Sequence, residues 1–420
     1  MKRRILCSLL LLCAIALTAC GHRHQWSDWT TVVAADCEHA GSRERTCSCG
    51  VKETEEIAAT GHDFDAGQTV APTAARHGYT LYTCGACNAE KKENVVDPTG
   101  SQGLAYEINA DGKTCTVTGL GTCKDTELGI PAAIDGYTVT AVANNAFVDQ
   151  KQIIFLWLAP TVKTIGGMAF ANCSGLISAS LPAFLDQIGT DAFLNCKKLA
   201  EVVNLSSLNI KSGSSAHGRV ALNALEVVKE SKIVGSGDFF FFDHENANYL
   251  VSYIGKSASM VLPKDFKGES YRIHSYAFSD VSDLITSVSF TVPVEIGVYA
   301  FGGCERLEKV EINDLQAWCQ TNFLVKESNP LYYAKNLYLN GKLLTDAVIP
   351  DGTLFIQPNA FINCESLGSI QIPKSVLGIG DDAFAGCTAL GSVSYAGSAE
   401  DWAKIDLGKG NEALTSHLTH

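Results

Sequence analysis

The pair Ala-Phe returns along this chain at fixed intervals. It occurs at 146–147, 169–170, 192–193, 277–278, 300–301, 360–361 and 383–384, and four of the six spacings are 23 residues. The other two spacings are 85 and 60. Four residues before each Ala stands an aliphatic residue: Val142, Ile165, Ile188, Ile273, Ile296, Ile356 or Ile379. Six residues after each Phe stands Ile153, Leu176, Leu199, Leu284, Leu307, Leu367 or Leu390. A single coil of that length cannot bury its own apolar side, but stacked coils share one continuous core. The template therefore predicts an α/β repeat solenoid of coils of about 23 residues with irregular insertions, a period in the leucine-rich repeat range.

Three residues after the Phe stands Cys in five of the seven copies: Cys173, Cys196, Cys304, Cys364 and Cys387. A nucleophile is needed once per site with a base beside it. Here the thiol recurs per coil, and no histidine recurs at a fixed offset. The recurrence predicts packing, since Cys is compact, often buried and weakly polar. Disulfides between neighbouring coils are the other use of such a column. Gln150 and Val281 in the same slot argue against an obligatory partner.

The segments "IGGMAFANCSGL" (165–176), "IGVYAFGGCERLEKVEI" (296–312) and "IGDDAFAGCTALGSVSYAGSAEDWAKI" (379–405) resemble the BspA-like leucine-rich repeats of bacterial surface proteins. The resemblance covers about 103–420. It implies a role in adhesion or in binding host matrix proteins, through a surface and not through a reaction. Within the last segment, Ser398 is expected to N-cap a short helix that Gly408 ends, closing the end of the solenoid. "DFFFFDH" (238–244) reads as a buried strand bracketed by Asp.

The beginning "MKRRILCSLLLLCAIALTAC" has a basic start and an apolar run, Ile5–Leu17. That run is shorter than the roughly 20 residues needed to span a bilayer, and it fits a secretory leader. "LTAC" resembles the bacterial lipobox. The resemblance implies a lipoprotein signal peptide over 1–19 and lipidation of Cys20, with ordinary secretion as the alternative. The expected location is the outer face of the cell membrane, held by the lipid. Losing Lys2, Arg3 and Arg4 would take the formal net charge from −13 to about −16. Such a chain is repelled by phosphate backbones, so nucleic acid is not an expected partner.

A strand is expected after each template Leu, with alternate residues pointing outward. The outward positions are Phe155 and Trp157, Ser178 and Ser180, Glu201 and Val203, Lys309 and Glu311, Ser369 and Gln371, and Ser392 and Ser394. The coil starting at Ile273 is slipped by one residue. Phe155, Trp157, Ser178, Ser180, Lys309 and Glu311 are the candidate contacts for an extracellular protein or glycan. The two aromatics are either an interface anchor or the floor beneath an adjacent loop. If they are an anchor, Trp157→Ala should weaken capture without affecting unfolding.

Residues 20–97 lack the template and contain two degenerate Cys/His units, one starting at Gly21-His22 and the other at Gly61-His62. Setting Gly41 against Gly78 matches Cys47 to Cys84 but Cys37 to Ala74, so the second unit lacks a cysteine. Cys37, Cys47 and Cys49 with a nearby His suit a tetrahedral zinc site. Cys84 and Cys87 have ribbon-like spacing, with His62 or His77 within reach. Structural zinc, disulfides (Cys37–Cys47 or Cys84–Cys87) and reduced thiols in a stalk all remain open. "DPTGSQG" (97–103) is rich in turn residues, and a linker over 98–103 is expected ahead of a solenoid over 104–420. No separate catalytic domain is legible. The alternatives to a binding role are an accessory to a metal-dependent enzyme and a cell-envelope spacer.

Overall fold

The computed structural model describes residues 24–244, 246–292 and 294–419. Cys20, the expected lipidation site, and His22 lie outside these residues. No helix among them is long and apolar enough to cross a membrane. The chain forms two compact units. One comprises the chain up to Val70 together with Tyr79–Val95; the other comprises Ala71–Gly78 and Val96 onward. The segment 71–78, expected in the Cys/His module, thus belongs with the repeats.

The first unit holds two three-stranded antiparallel sheets. Their strands are Thr30–Val33, Gly41–Thr46 and Lys52–Ile57, and then Gln68–Val70, Gly78–Thr83 and Glu90–Val96. In each, an aromatic residue ahead of the sheet bridges to the first cysteine of the closing turn, Trp26 to Cys47 and Phe64 to Cys84. That bridge equates His24, not His22, with His62.

The second unit is a solenoid of parallel strands, with two strands per regular coil. A short strand carries the template Ile, as in Thr164–Ile165 and Gln187–Ile188. A longer one follows the template Leu, as in Phe155–Leu158, Ser178–Leu181 and Glu201–Asn204. Equivalent residues align at the 23-residue spacing: Phe155 beside Ser178, and Ser178 beside Glu201. The expected α/β class is corrected to a β-solenoid. The side opposite the long strands is built from short strands and turns, and each α-helix of this unit is only four or five residues long.

The Ala-Phe pair explains why the coils stack. The Phe N–H donates to the Ala carbonyl of the next coil, from Phe147 to Ala169, Phe170 to Ala192 and Phe361 to Ala383, at 2.7–2.8 Å. The rings then lie face to face, with Phe147, Phe170 and Phe193 spaced 5.2 Å apart. The residue before each Ala is left-handed in all seven copies: Asn145, Met168, Asp191, Tyr276, Tyr299, Asn359 and Asp382. The residue before the Cys slot is left-handed too: Asp149, Asn172, Asn195, Gly303, Asn363 and Gly386. Asn, Asp and Gly tolerate that conformation best. Their side chains also form an outer ladder, Asn195 donating to Asn172 and Asn172 to Asp149, each at 2.8 Å.

The cysteine column packs as expected, and its members are free thiols. Each regular thiol donates back to the Phe carbonyl of the preceding coil: Cys173 to Phe147, Cys196 to Phe170 and Cys387 to Phe361, at 3.1–3.2 Å. Burial pushes Cys173, Cys304 and Cys387 up to about 12, which favours the protonated thiol.

The two long gaps hold excursions that still serve the stack. In the 85-residue gap the strand Phe239–Phe242 is buried on both faces, as expected. Phe239 and Phe241 join the core of the later coils, while Phe240 and Phe242 pack on the outer face of the earlier ones. In the 60-residue gap no Ala-Phe pair is present. The Trp318 indole N–H and the Asn329 side-chain amide instead donate to the Ala360 carbonyl. At the far end, the Asn411 side chain accepts from the Phe384 N–H at 3.0 Å. Ser398 caps a helix as expected, but that helix covers only Ala399–Trp402 and stops well before Gly408. Asp406–Leu407 instead forms a strand beside Gly378–Ile379.

Asn411→Ala should strand the buried Phe384 N–H. It should lower stability by about 1–3 kcal/mol, read by thermal unfolding and by faster amide exchange in the last two coils.

Candidate functional site

The expected outward rows divide into a covered half and an open half. Phe155 and Trp157 are buried, at 4% and 8% exposure, so neither is an exposed anchor. Arg76 covers Phe155. Its guanidinium lies 4.9 Å above the ring and is held by Glu127 through two hydrogen bonds of 2.6 and 3.0 Å. Phe240 meets Phe155 edge-on at 5.0 Å. Ala75, Phe240, Phe242 and Val251 complete a small second core on Phe155 and Trp157. Ser178 is also buried and donates to Glu201 at 2.6 Å. Ser231 and the Lys232 N–H close over the same carboxylate. Burial pushes the Glu201 carboxyl up, against these hydrogen bonds. Ser180 is half-buried.

From residue 259 onward the outer rows are half-buried to exposed. The strand Ser287–Phe290 pairs Ser287 with Lys309, 22 residues later, which is the expected one-residue slip. Its coil buries Ile285 in the core in place of the template Leu284. The open rows are Ser259 and Val261, Ser287 and Ser289, Lys309 and Glu311, Tyr338, Asp346 and Val348, Ser369 and Gln371, and Ser392 and Ser394. Val261 and Val348 are each 60% exposed. Lys309 pairs with Glu311 at 2.7 Å and lies 4.5 Å from the Tyr338 ring centroid. Glu311 also accepts from the Gly341 N–H. The result is a small-residue polar strip flanked by two valines and a tyrosine, with its central charges already paired.

A buried charged cluster was not legible in the sequence. Lys198 is fully buried and ion-paired with Asp280, with His274 alongside. Asp280 occupies the slot where other coils place a left-handed Asp, Asn or Gly. Here a 3-10 turn, Ser279–Val281, carries its carboxylate to Lys198. Burial lowers the Lys198 pKa, opposed by Asp280. Burial, and then the Lys198 charge, hold His274 down to about 4. These groups tie the coil of Ile188 to that of Ile273. Lys198 and His274 are both buried.

The metal candidates regroup. Cys37 does not meet Cys47 and Cys49. It lies with His62, Cys84 and Cys87, all four ligand atoms within 4.8 Å of one another. His24, Cys47 and Cys49 form a separate group of three. His77 sits elsewhere, 3.4 Å from Asp97. The Cys37 and Cys84 sulfurs are 3.8 Å apart, and the Cys87 sulfur is 3.3 Å from His62 Nδ1. Backbone N–H groups of Ala86 and Cys87 draw the Cys84 thiol down to about 6. The Cys87 contact, and then burial, push Cys37 up to about 11. Burial also pushes Cys47 up, but the Cys49 backbone N–H and His24 outweigh it and bring that thiol to about 6. The cross-unit grouping could have been suspected from the one cysteine that the second unit lacks.

Two measurements follow. Trp157→Ala should destabilise the solenoid by about 3–5 kcal/mol, read in chemical denaturation, because the indole fills a covered core. His274 is held near 4 in the fold against about 6.5 when unfolded. Between those values the unfolded chain takes a proton that the folded chain refuses. Its contribution to stability is therefore complete above pH 6.5 and lost on acidification toward 4, of order 3 kcal/mol. His274→Leu should flatten the stability-versus-pH curve in that window.

No curated protein matches the chain. Among solved structures it is similar to a leucine rich cell surface protein of Faecalibacterium prausnitzii, at 20% identity over 74% of this chain and 98% of that one, TM-score 0.31. It is also similar to a leucine-rich repeat protein of Bacteroides ovatus, at 20% identity over 76% and 92%, TM-score 0.26. A third is the pneumococcal vaccine antigen PcpA, at 14% identity over 84% and 97%, TM-score 0.29. The sequence matches the BspA type leucine rich repeat region in six copies, across 126–245, 259–328 and 332–404. The chain belongs to the BspA type leucine rich repeat family.

Proposed function

We propose that this is an exported surface protein that recognises an extracellular protein or glycan through the open strand face of its later coils. The observation that carries the reading is the difference between the two halves. The chain's own segments cover the rows of the first half, while the rows from Ser259 to Ser394 stay open with Val261, Tyr338 and Val348 on them. Serine and glutamine rows on a rigid sheet offer hydrogen bonds at fixed spacing, and a tyrosine supplies apolar area with little entropy to lose. Diacylation of Cys20 would hold the protein at the outer face of the membrane; stable anchoring needs two acyl chains. The buried, raised thiols of the repeat column support a binding role for the solenoid.

The complete chain is the right reagent, since a fragment starting at 103 would lose the Arg76 cover over Phe155. It should be screened against matrix proteins, host glycans and bacterial wall polysaccharides. Saturable binding to one class is expected. Tyr338→Ala combined with Gln371→Ala should weaken it at least tenfold, with thermal unfolding nearly unchanged. Binding that survives this double variant would remove the face from consideration. Absence of binding across the panel would favour a cell-envelope spacer.

A further inference from the structure

The first unit has almost no apolar core. Among its described residues the buried apolar side chains are Cys37, Cys47 and Cys84. A unit of this size with so little to bury needs a cross-link or a metal to hold its fold. Three of its four-donor set come from the second Cys/His unit, and Cys37 comes from the first.

We propose that Cys37, His62, Cys84 and Cys87 bind one zinc ion that staples the first Cys/His unit to the second. The donors are three thiols and one imidazole, a set that zinc takes in closed tetrahedral sites. With Zn–S bonds near 2.3 Å and Zn–N near 2.0 Å, the edges of such a tetrahedron are about 3.8 Å between sulfurs and about 3.5 Å from sulfur to nitrogen. The observed separations are 3.8 Å for Cys37–Cys84 and 3.3 Å for Cys87–His62. His62 presents Nδ1 to the sulfurs, and its Nε2 lies 3.3 Å from the Glu38 carboxylate. A carboxylate on the far nitrogen is the usual way a metal-bound histidine is oriented and made more basic.

The pattern between units gives independent support. In the first unit the Thr60 and Gly61 N–H groups donate to the carbonyls of Asp36 and Cys37. In the second, the Thr99 and Gly100 N–H groups donate to those of Thr73 and Ala74. Ala74 therefore stands where Cys37 stands, and Ser101 stands where His62 stands. The segment following the second unit is the first coil of the repeats, which offers no histidine and no Cys-x-x-Cys. Ala74 instead packs on Gly129, where an added Cβ would lie 1.8 Å from the Ala74 carbonyl oxygen. Cysteine occupies this slot where the next unit supplies three ligands, and alanine occupies it where the next segment supplies none. His24, Cys47 and Cys49 form a separate group of three among the described residues.

The test is metal titration of the complete chain under anaerobic conditions, with cobalt(II) as the spectroscopic probe and zinc as competitor. One tightly bound cobalt is expected, with tetrahedral d–d bands and thiolate charge transfer, displaced stoichiometrically by zinc. Cys37→Ser should abolish that ion. Cys49→Ser should leave it. Glu38→Gln should keep the spectrum and weaken zinc about tenfold or more, a readout that does not depend on a ligand variant folding. Zinc should also shield Cys37, Cys84 and Cys87 from alkylation. Absence of a tight ion, a Cys37–Cys84 disulfide in the native protein, or loss of the ion with Cys49→Ser but not with Cys37→Ser would each overturn the assignment.

Discussion

The solenoid depends on one backbone hydrogen bond repeated from coil to coil, from the Phe N–H to the Ala carbonyl of the next turn. It fixes the stacking distance near the roughly 4.8 Å of paired strands, and that distance is also what brings successive Phe rings into contact. Ala is required because a larger side chain would hold the turns apart. The left-handed residue before each Ala bends the chain so that the N–H and carbonyl face opposite neighbours. The cysteine thiol then adds a second donor to the Phe carbonyl at little cost in volume. Each of these choices is local, and each is repeated because each coil meets the same neighbour.

Where the repeat is interrupted, the same bond must still be satisfied. An unpaired buried backbone group costs about 1–3 kcal/mol. The Trp318 indole and the Asn329 amide supply the missing donors to Ala360, and Asn411 supplies the missing acceptor for Phe384. The irregular stretches are therefore side-chain substitutes for a coil. The Phe239–Phe242 strand goes further, since its two faces serve two different cores. It also covers Phe155 and Trp157, two of the residues that the sequence offers as a recognition surface.

Cysteine does two kinds of work in this chain. In the repeats it sits in an apolar column, where burial keeps the thiol protonated and inert. In the Cys/His units backbone N–H groups and histidines surround it, and the sulfur of Cys84 is drawn toward the thiolate. Burial dominates in the first environment and hydrogen-bond donors facing the sulfur dominate in the second.

The sequence by itself determined the coil. The 23-residue spacing, the Ala-Phe pair, the packed cysteines and the slip of the Ile273 coil are all visible because each reflects contacts with the neighbouring turn. It also identified the buried Phe239–Phe242 strand and the cap at Ser398. It did not determine the class of the opposite side, which is strand and turn, not helix, because a few residues of backbone direction carry no periodic signal. Nor did it show that Arg76 and Phe240 cover Phe155, that Lys198 meets Asp280 across 82 residues, or that Cys37 belongs with His62, Cys84 and Cys87. Those pairings are long-range and occur once, so no repetition announces them. Only the tertiary structure, by bringing distant segments to one surface, decided which face is open and which thiols share a site.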